Sequence, residues 1–265
     1  MQIYKYMDIG TAKPTMEERE GVPHHLIDIV HPTESFSVAR YCQCAKEAID
    51  NIHSKGKPAV MVGGTGLYVD SVVNNIQFAE SEPDEEYRKE LEEKANTMGN
   101  EYIYEKLQEI DPESAKKIAV ADTKRIIRAL EVYHLTGKTI TEQNEESRKI
   151  PSPYDITMFA ISTDREKLYD KINRRVDLMM EQGLVDEVKG ILNMGVDRNT
   201  TAMQAIGYKE IAEWLDGKIT IEKAIEDIKQ GSRRYAKRQL TWFRRNDKIN
   251  WVENDIDEVL KILNK

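Results

Sequence analysis

The sequence has little cysteine and no long apolar run. Its two cysteines, Cys42 and Cys44, exclude a disulfide scaffold. Two thiols and five histidines without ligand spacing also argue against a metal site built from the chain's own side chains. No apolar stretch approaches the ~18 residues that a membrane span needs. We therefore expect no membrane association, and a cytoplasmic location is the default for a chain with so few thiols.

Acidic residues outnumber basic ones by 47 to 39, which gives a formal net charge of −8. Net charge alone therefore argues against a protein that binds nucleic acid. The distribution of charge argues the other way, because residues 229–245 hold a dense group of cations and no acid. Arg234, Lys237 and Arg238 recur there at helical spacing, which favours polyphosphate binding. The alternative is an ordinary solvated helix.

A strand, a glycine turn and a helix follow one another in the first third of the chain. The apolar run at residues 57–62 is typical of a buried parallel strand. It ends in Gly63-Gly64-Thr65-Gly66, and a helix follows from Leu67. This order indicates an α/β protein and places the glycine turn at the carboxyl edge of a sheet, where substrate loops lie.

The pattern becomes entirely helical from about residue 80 to residue 134, with breaks at Gly99, Asp111-Pro112 and Asp122. We therefore predict an α/β core from residues 1–77 and 146–265, interrupted by a helical insertion domain at residues 78–145. Further predicted elements of the core are an extended stretch at residues 23–30, a helix at 37–53, a strand at 154–161 and helices from Thr163.

Arg175 is the candidate anion ligand in the helix that begins near Thr163. Leu168, Ile172, Val176 and Met179 form the apolar stripe of this helix. At about 100° per residue, Arg175 falls within the stripe and Arg174 points away from it. An inward arginine requires a carboxylate or a bound anion, so the alternatives are a structural ion pair or a snorkelling side chain.

Arg125 and Arg128 are three residues apart near the start of another predicted helix. Paired guanidiniums suit phosphate oxygens, but a solvated face paired with Glu131 is the simpler reading. Farther along this helix, Gly137-Lys138-Thr139 imitates the end of a P-loop. Val132 occupies the position where that motif needs glycine, so Gly137 is interpreted as a helix C-terminal glycine.

Six motifs stand in a fixed order along almost the whole chain. They are Met1-Gln2-Ile3-Tyr4 with Gly10-Thr11-Ala12-Lys13-Pro14, then Pro23-His24-His25-Leu26-Ile27-Asp28, Gly63-Gly64-Thr65-Gly66-Leu67-Tyr68, Arg125-Ile126-Ile127-Arg128-Ala129-Leu130-Glu131-Val132, Ile206-Gly207-Tyr208 and Arg238-Gln239-Leu240-Thr241-Trp242. Together they resemble one family, the tRNA dimethylallyltransferases. The ordered set is far more specific than any single motif.

The resemblance implies transfer of a dimethylallyl group from dimethylallyl diphosphate to N6 of the adenine beside the tRNA anticodon, at position 37. It implies a P-loop NTPase-like, nucleotide-binding (ATP-type) α/β core with a parallel sheet and a helical insertion domain. It also implies Mg²⁺ at the diphosphate and an adenine flipped out of its stack. The expected partners are tRNA and the prenyl donor, and nothing in the sequence indicates an oligomer, so we expect a monomer.

The motif positions imply a role for each candidate residue. Arg175 would hold the diphosphate, and Gln2 would lie beside the flipped base. The expected substrate-loop residues are Gly10, Thr11, Lys13, Gly63, Gly64, Thr65 and Gly66. The expected tRNA contacts are Met1, Gln2, Lys124, Arg125, Ile126, Ile127, Arg128, Gln204, Ala205, Ile206, Gly207, Tyr208, Lys209, Arg234, Lys237 and Arg238.

The sequence departs from the family pattern at its start. The family has a P-loop and a strand ending in Asp-Ser directly before the position of Met1, and these 265 residues contain neither. We therefore expect a truncated chain, with the general-base Asp upstream of Met1, no catalytic residue of its own and no prenyl transfer by itself. The alternatives are a relative of the P-loop nucleotide kinases, which would have no basic helix at the far end, and a tRNA-binding fragment without catalysis.

Overall fold

A computed structural model of the chain describes residues 1–78 and 83–264. The chain divides into two units. The first, which we call the core unit, comprises Met1–Val69 and Ile156–Lys265, and the second, the helical unit, comprises Asp70–Asp155. The predicted insertion at residues 78–145 lies inside the helical unit, whose bounds are wider at both ends.

The described residues form twelve helices and two strands. In chain order these are α1 (Val38–Ser54), α2 (Gly66–Val73), α3 (Glu85–Met98), α4 (Asn100–Ile110), α5 (Pro112–Ala115), α6 (Thr123–Thr136), α7 (Ile140–Arg148), β1 (Met158–Ile161), α8 (Arg165–Glu181), α9 (Leu184–Asn193), α10 (Tyr208–Leu215), α11 (Ile221–Phe243), β2 (Ile249–Val252) and α12 (Ile256–Leu263).

The sheet of the core unit is small and parallel. β1 pairs with β2 in a register that places Met158 opposite Ile249 and Ile161 opposite Val252. The strand predicted at residues 154–161 therefore forms over its second half, and β2 was not predicted. An α/β fold is confirmed, but the larger parallel sheet expected from the sequence is not formed by the described residues.

The predicted buried strand at residues 57–62 is wrong. These residues are outside any strand, and Val60 and Val62 are 82% and 90% exposed. A strand requires hydrogen bonds to a neighbouring strand, and no segment of the described chain provides them here. The glycine turn that follows still precedes a helix, α2, but it does not end a strand.

The extended stretch predicted at residues 23–30 is also largely wrong. Leu26 and Asp28 adopt positive φ angles of 60° and 57°, which bend the chain back on itself. Val30 alone keeps the expected character, because it forms a parallel bridge with Tyr4.

The predicted helices are confirmed. They could be predicted because the residues at their ends carry local capping signals. Ser37 caps α1 by accepting a hydrogen bond from the amide of Arg40, and Asp164 caps α8. All three predicted breaks in the helical unit are observed, since Gly99 has a positive φ and Asp111 and Asp122 cap α5 and α6. The predicted start at Glu80 lies outside the described residues.

Each unit has its own apolar core. In the core unit, α8 to α11 pack around Val188, Ile191 and Ile211, and Tyr4, Met7 and Val30 from the first thirty residues join them. In the helical unit, α3, α4 and α6 pack around Leu91, Leu107 and Ile126. The first residues of the chain are therefore fixed against α9 and α10, which places the first candidate loop.

Candidate functional site

The first candidate loop, residues 7–14, wraps around a carboxylate from α9. The backbone amides of Asp8, Ile9 and Gly10 donate to the Glu187 carboxylate at 2.8, 2.7 and 3.0 Å. The Tyr208 hydroxyl donates to Glu187 Oε1 at 2.5 Å. Successive amides that converge on an oxyanion form an anion-binding nest. Here the anion is the protein's own glutamate.

Tyr208 is a structural part of this loop site. Its ring lies so close to Gly10 that a Cβ atom there would be 2.5 Å from Tyr208 Cε2, so the position requires glycine. Burial, and then the hydrogen bond to Glu187, raise the pKa of Tyr208 above its usual range, so the hydroxyl stays protonated and donates. Tyr208 is fully buried, so its side chain is not accessible to tRNA in this conformation, and the contact of the 204–209 segment with tRNA stays a prediction.

Lys13 is saturated by partners within the protein. Its ammonium donates to the Tyr4 carbonyl at 3.0 Å and forms ion pairs with Asp8 and Asp28, both at 2.5 Å. The side chain is 4% exposed. An ammonium has three donors, and all three are used, so in this conformation Lys13 holds the loop together, and the place of this loop beside a substrate stays a prediction. Thr11 is also turned inward, donating to the Met7 carbonyl at 2.6 Å.

Gln2 is fixed by the backbone of the same loop. Its Nε2 donates to the carbonyls of Thr11 and Ala12 at 3.1 and 2.9 Å. The neighbouring Met1 is 44% exposed. The position of the Gln2 amide therefore depends on the conformation of the loop that Glu187 holds.

The second candidate loop, Gly63-Gly64-Thr65-Gly66, lies on one stripe of α11. Gln239 Nε2 donates to the Gly64 carbonyl at 3.0 Å, and the Thr65 and Tyr235 hydroxyls are 3.3 Å apart. A Cβ atom on Gly66 would lie 2.3 Å from the ring of Trp242. The structure thus brings together two features that the sequence identified separately, the glycine turn and the basic helix.

The basic face of α11 is exposed, and part of it has no acidic partner. Lys229 and Arg233 are neutralised by Asp177 and Glu226 at 2.6 and 2.8 Å. Three further cations, Arg234, Lys237 and Arg238, are exposed. Within the described part of the chain, these three make no ion pair with a carboxylate. They form the face that we call the open basic face.

Arg175 does not point inward as predicted. The buried face of α8 is centred on Val176, which is 2% exposed, and Arg175 lies about 100° away at the exposed edge of that face. The error arose because Tyr169, Asn173 and Met180 extend the buried face on the other side of Val176. No described carboxylate pairs with Arg175, so its guanidinium is accessible to an anion.

The arginines of α6, in contrast, are paired. Arg125 lies 3.4 Å from Asp122, and Arg128 lies 2.7 Å from Glu131. The Glu131 side chain is fully buried and also accepts from Arg88 at 2.8 Å and from the Asp84 amide at 2.9 Å. Burial alone would raise the pKa of Glu131, but these hydrogen bonds hold it below its usual value.

Several other predicted contacts with tRNA differ in exposure. Ile126 and Ile127 are buried in the helical core, so the prediction is wrong for their side chains. Lys124 is exposed. In the 204–209 segment, Gln204 is exposed and donates to the Arg198 carbonyl at 2.9 Å, and Lys209 is exposed near Glu213. Ala205 and Ile206 are half-buried, and Gly207, with a φ of 98°, is the N-cap residue directly before α10.

The described residues form no cluster of three metal-ligating side chains. In residues 1–78 and 83–264, no three His, Cys, Asp or Glu side chains converge as metal ligands. Asp8 and Asp28 do approach each other, but the Lys13 ammonium lies between them. Mg²⁺ in proteins is often held by only one or two carboxylates together with substrate phosphates and water, so the dependence on Mg²⁺ stays a prediction.

Sequence reasoning missed Glu187. Its loop partners lie 177–179 residues earlier in the chain, and no local pattern links a helical glutamate to so distant a loop. The glycine at position 10 was the one local feature of the sequence that could have indicated a close contact.

No helix in the described chain is long and apolar enough to cross a membrane.

The sequence model of the IPP transferase family matches residues 2–246. The chain is 53% identical to the tRNA dimethylallyltransferase of Acetivibrio thermocellus, over 96% of this chain and 82% of that protein. It resembles the crystal structure of the full-length tRNA isopentenylpyrophosphate transferase from Bacillus halodurans, with a TM-score of 0.69 and 46% identity, covering 99% of this chain and 82% of that one. A eukaryotic dimethylallyltransferase acting on tRNA superposes with a TM-score of 0.80 at 31% identity, covering 96% of this chain and 65% of that one.

Proposed function

This chain belongs to the IPP transferase family, and from that membership we propose that it is a tRNA dimethylallyltransferase. The reaction proposed is the transfer of a dimethylallyl group from its diphosphate to N6 of the adenine at position 37, next to the anticodon. The observation that carries the proposal beyond family membership is the open basic face of α11. The glycine turn at residues 63–66 is fixed on the neighbouring stripe of the same helix, by Gln239 and Tyr235.

The open basic face suits the RNA substrate. Phosphates of tRNA release bound counterions when they meet cations, and cations without acidic partners can replace those counterions at no cost in broken ion pairs. Arg234, Lys237 and Arg238 meet that condition. The paired arginines of α6 remain secondary candidates, since each must share its charge with a carboxylate.

Arg175 suits the diphosphate of the donor. In the proposed reaction, the bond between the prenyl carbon and the diphosphate oxygen breaks while the adenine N6 bonds to that carbon. Negative charge develops on the leaving diphosphate, and an accessible guanidinium stabilises it. The adenine amine loses a proton, and none of the described side chains is assigned as its acceptor. The adenine must leave its stack to react.

Other parts of the account remain predictions. These are the P-loop NTPase-like character of the core, the dependence on Mg²⁺, the general-base Asp, the monomeric state and the cytoplasmic location. The relatives match 96% of this chain and do not support the predicted inactivity of these 265 residues. Activity is therefore to be measured directly.

The test incubates the purified chain with tRNA and labelled dimethylallyl diphosphate, with and without Mg²⁺, and identifies the modified nucleoside by mass spectrometry. We expect N6-dimethylallyladenosine with tRNA that has adenine at position 37, and none with guanine there. Binding of tRNA without any product would favour the non-catalytic RNA-binding reading. Transfer of phosphate from ATP, without prenylation, would favour the kinase reading and contradict the proposal.

A further inference from the structure

We propose that Glu187 is a positioning residue of the reaction, which fixes the loop at residues 8–13 in the shape that orients the Gln2 side chain. This inference rests on the proposed function, because it concerns the base that Gln2 would face. Glu187 itself would not touch the substrate. It acts through the loop.

Four hydrogen-bond donors share the Glu187 carboxylate. Three successive amides and a tyrosine hydroxyl point at Glu187, at distances of 2.5–3.0 Å. Backbone amides cannot change their hydrogen-bonding character, so this part of the loop needs an acceptor at this place. A carboxylate accepts at both oxygens, whereas a glutamine of the same size places an NH₂ donor where one oxygen was.

The same loop holds the side chain of Gln2. The carbonyls of Thr11 and Ala12, one and two residues beyond the last amide of the nest, accept both hydrogen bonds of the Gln2 amide. Lys13 anchors the end of the same loop through Asp8 and Asp28. A shift of the loop therefore moves both acceptors, and the Gln2 amide moves with them.

A role limited to packing would survive a substitution that keeps the volume of the side chain. Met7 and Tyr208, which are fully buried, form the core beneath the loop. A Glu187→Gln substitution keeps the side-chain volume, so its effect should concentrate on the loop amides and on Gln2. Asp186 provides a matched control, because it lies on the same helix, is 84% exposed and pairs with Lys189.

The experiment uses ¹⁵N-labelled full chain and measures hydrogen exchange by NMR in the wild type, Glu187→Gln, Asp186→Asn and Tyr208→Phe. In Glu187→Gln, the amides of residues 8–10 should exchange at least about tenfold faster, because each loses a hydrogen bond to a charged acceptor. The side-chain amide signals of Gln2 should shift or broaden. Asp186→Asn should change neither, and Tyr208→Phe should give a smaller increase.

Kinetics then distinguish positioning from stability. For prenyl transfer, Glu187→Gln should lower kcat by about 10- to 100-fold, the cost of a misplaced group, while the tRNA dissociation constant changes by less than about twofold. Unchanged exchange at residues 8–10 or an unchanged Gln2 signal would overturn the proposal, and so would normal kcat in an active enzyme. A wild type that transfers no prenyl group would contradict the proposed function, while the exchange data would still decide whether Glu187 holds the loop and Gln2.

Discussion

The arginines of α6 and the cations of α11 are similarly spaced in the sequence, but they differ in the structure in whether a carboxylate neutralises them. Arg125 and Arg128 each contact a carboxylate, and Arg128 shares the buried Glu131 with Arg88. On α11, the open basic face of Arg234, Lys237 and Arg238 has no such partner among the described residues. Arg128 stabilises the helical unit through the buried Glu131 and Arg125 is paired at the surface, whereas the α11 cations are available to an external anion.

A run of cations therefore indicates a binding surface only when carboxylates of the same protein do not already neutralise its charge. Even within α11 the rule separates residues, because Lys229 and Arg233 pair with Asp177 and Glu226.

The largest effect is expected on the open basic face. Changing Arg234, Lys237 and Arg238 together to Ala should raise the tRNA dissociation constant by at least about 100-fold, because three charge-assisted contacts are lost. The matched control changes Lys229 and Arg233 to Ala on the same helix, where a few-fold effect is expected. A filter-binding assay measures both. Equal effects of the two variants would show that an acidic partner does not decide whether a cation of α11 can bind tRNA.

A smaller effect, limited to binding of the prenyl donor, is expected at Arg175. Arg175→Ala should weaken binding of the prenyl diphosphate by at least about tenfold, since a hydrogen bond to a charged group contributes ~1.5–3 kcal/mol. Binding of tRNA should change little. Arg174→Ala, at an exposed neighbouring position, is the control. Donor titration by calorimetry would contradict the assignment if both variants bound the donor equally well.

The third prediction concerns stability of the helical unit. Glu131→Gln should lower the free energy of unfolding by about 2 kcal/mol at neutral pH, because Arg88 and Arg128 lose a charged acceptor. The native pKa of Glu131 is below its usual value, so its stabilisation is present above the unfolded pKa of about 4.3 and is lost as pH falls through the native pKa. Urea melts should therefore show a difference that shrinks on acidification. A difference that grows would contradict the account.

The smallest effect is expected at Arg125. Its ion pair with Asp122 is exposed, and such pairs contribute about 0–1 kcal/mol. Arg125→Ala should raise the tRNA dissociation constant by less than about threefold and leave stability unchanged within about 0.5 kcal/mol. Loss of tRNA binding comparable to that of the triple variant would move the main RNA contact to α6.

The sequence allowed the helices to be predicted well because their ends carry local chemistry. Ser37, Asp111 and Asp122 cap helices with their own side chains, and each was visible in the sequence as a start or break. The apolar pattern at residues 57–62 predicted a strand that the structure does not contain. A strand is defined by its neighbour, and the described chain supplies none there.

The candidate site was predictable in its residue types more than in its contacts. Exposure of the α11 cations followed from their spacing, whereas the saturation of Lys13 and the burial of Tyr208 depend on partners far away in the chain. Arg175 shows the limit of helical periodicity most clearly. When the observed buried face of a helix is centred one or two residues from the predicted centre, a residue predicted to lie at the edge of that face becomes exposed.

The central claim is that the uncompensated cations of α11 carry the electrostatic part of tRNA binding. The most direct measurement is the slope of the logarithm of tRNA affinity against the logarithm of salt concentration, for the wild type, the α11 triple variant and Arg125→Ala. We predict that the triple variant loses about three units of slope, roughly one for each phosphate contact, and that Arg125→Ala keeps nearly the wild-type slope. An unchanged slope in the triple variant would contradict the account.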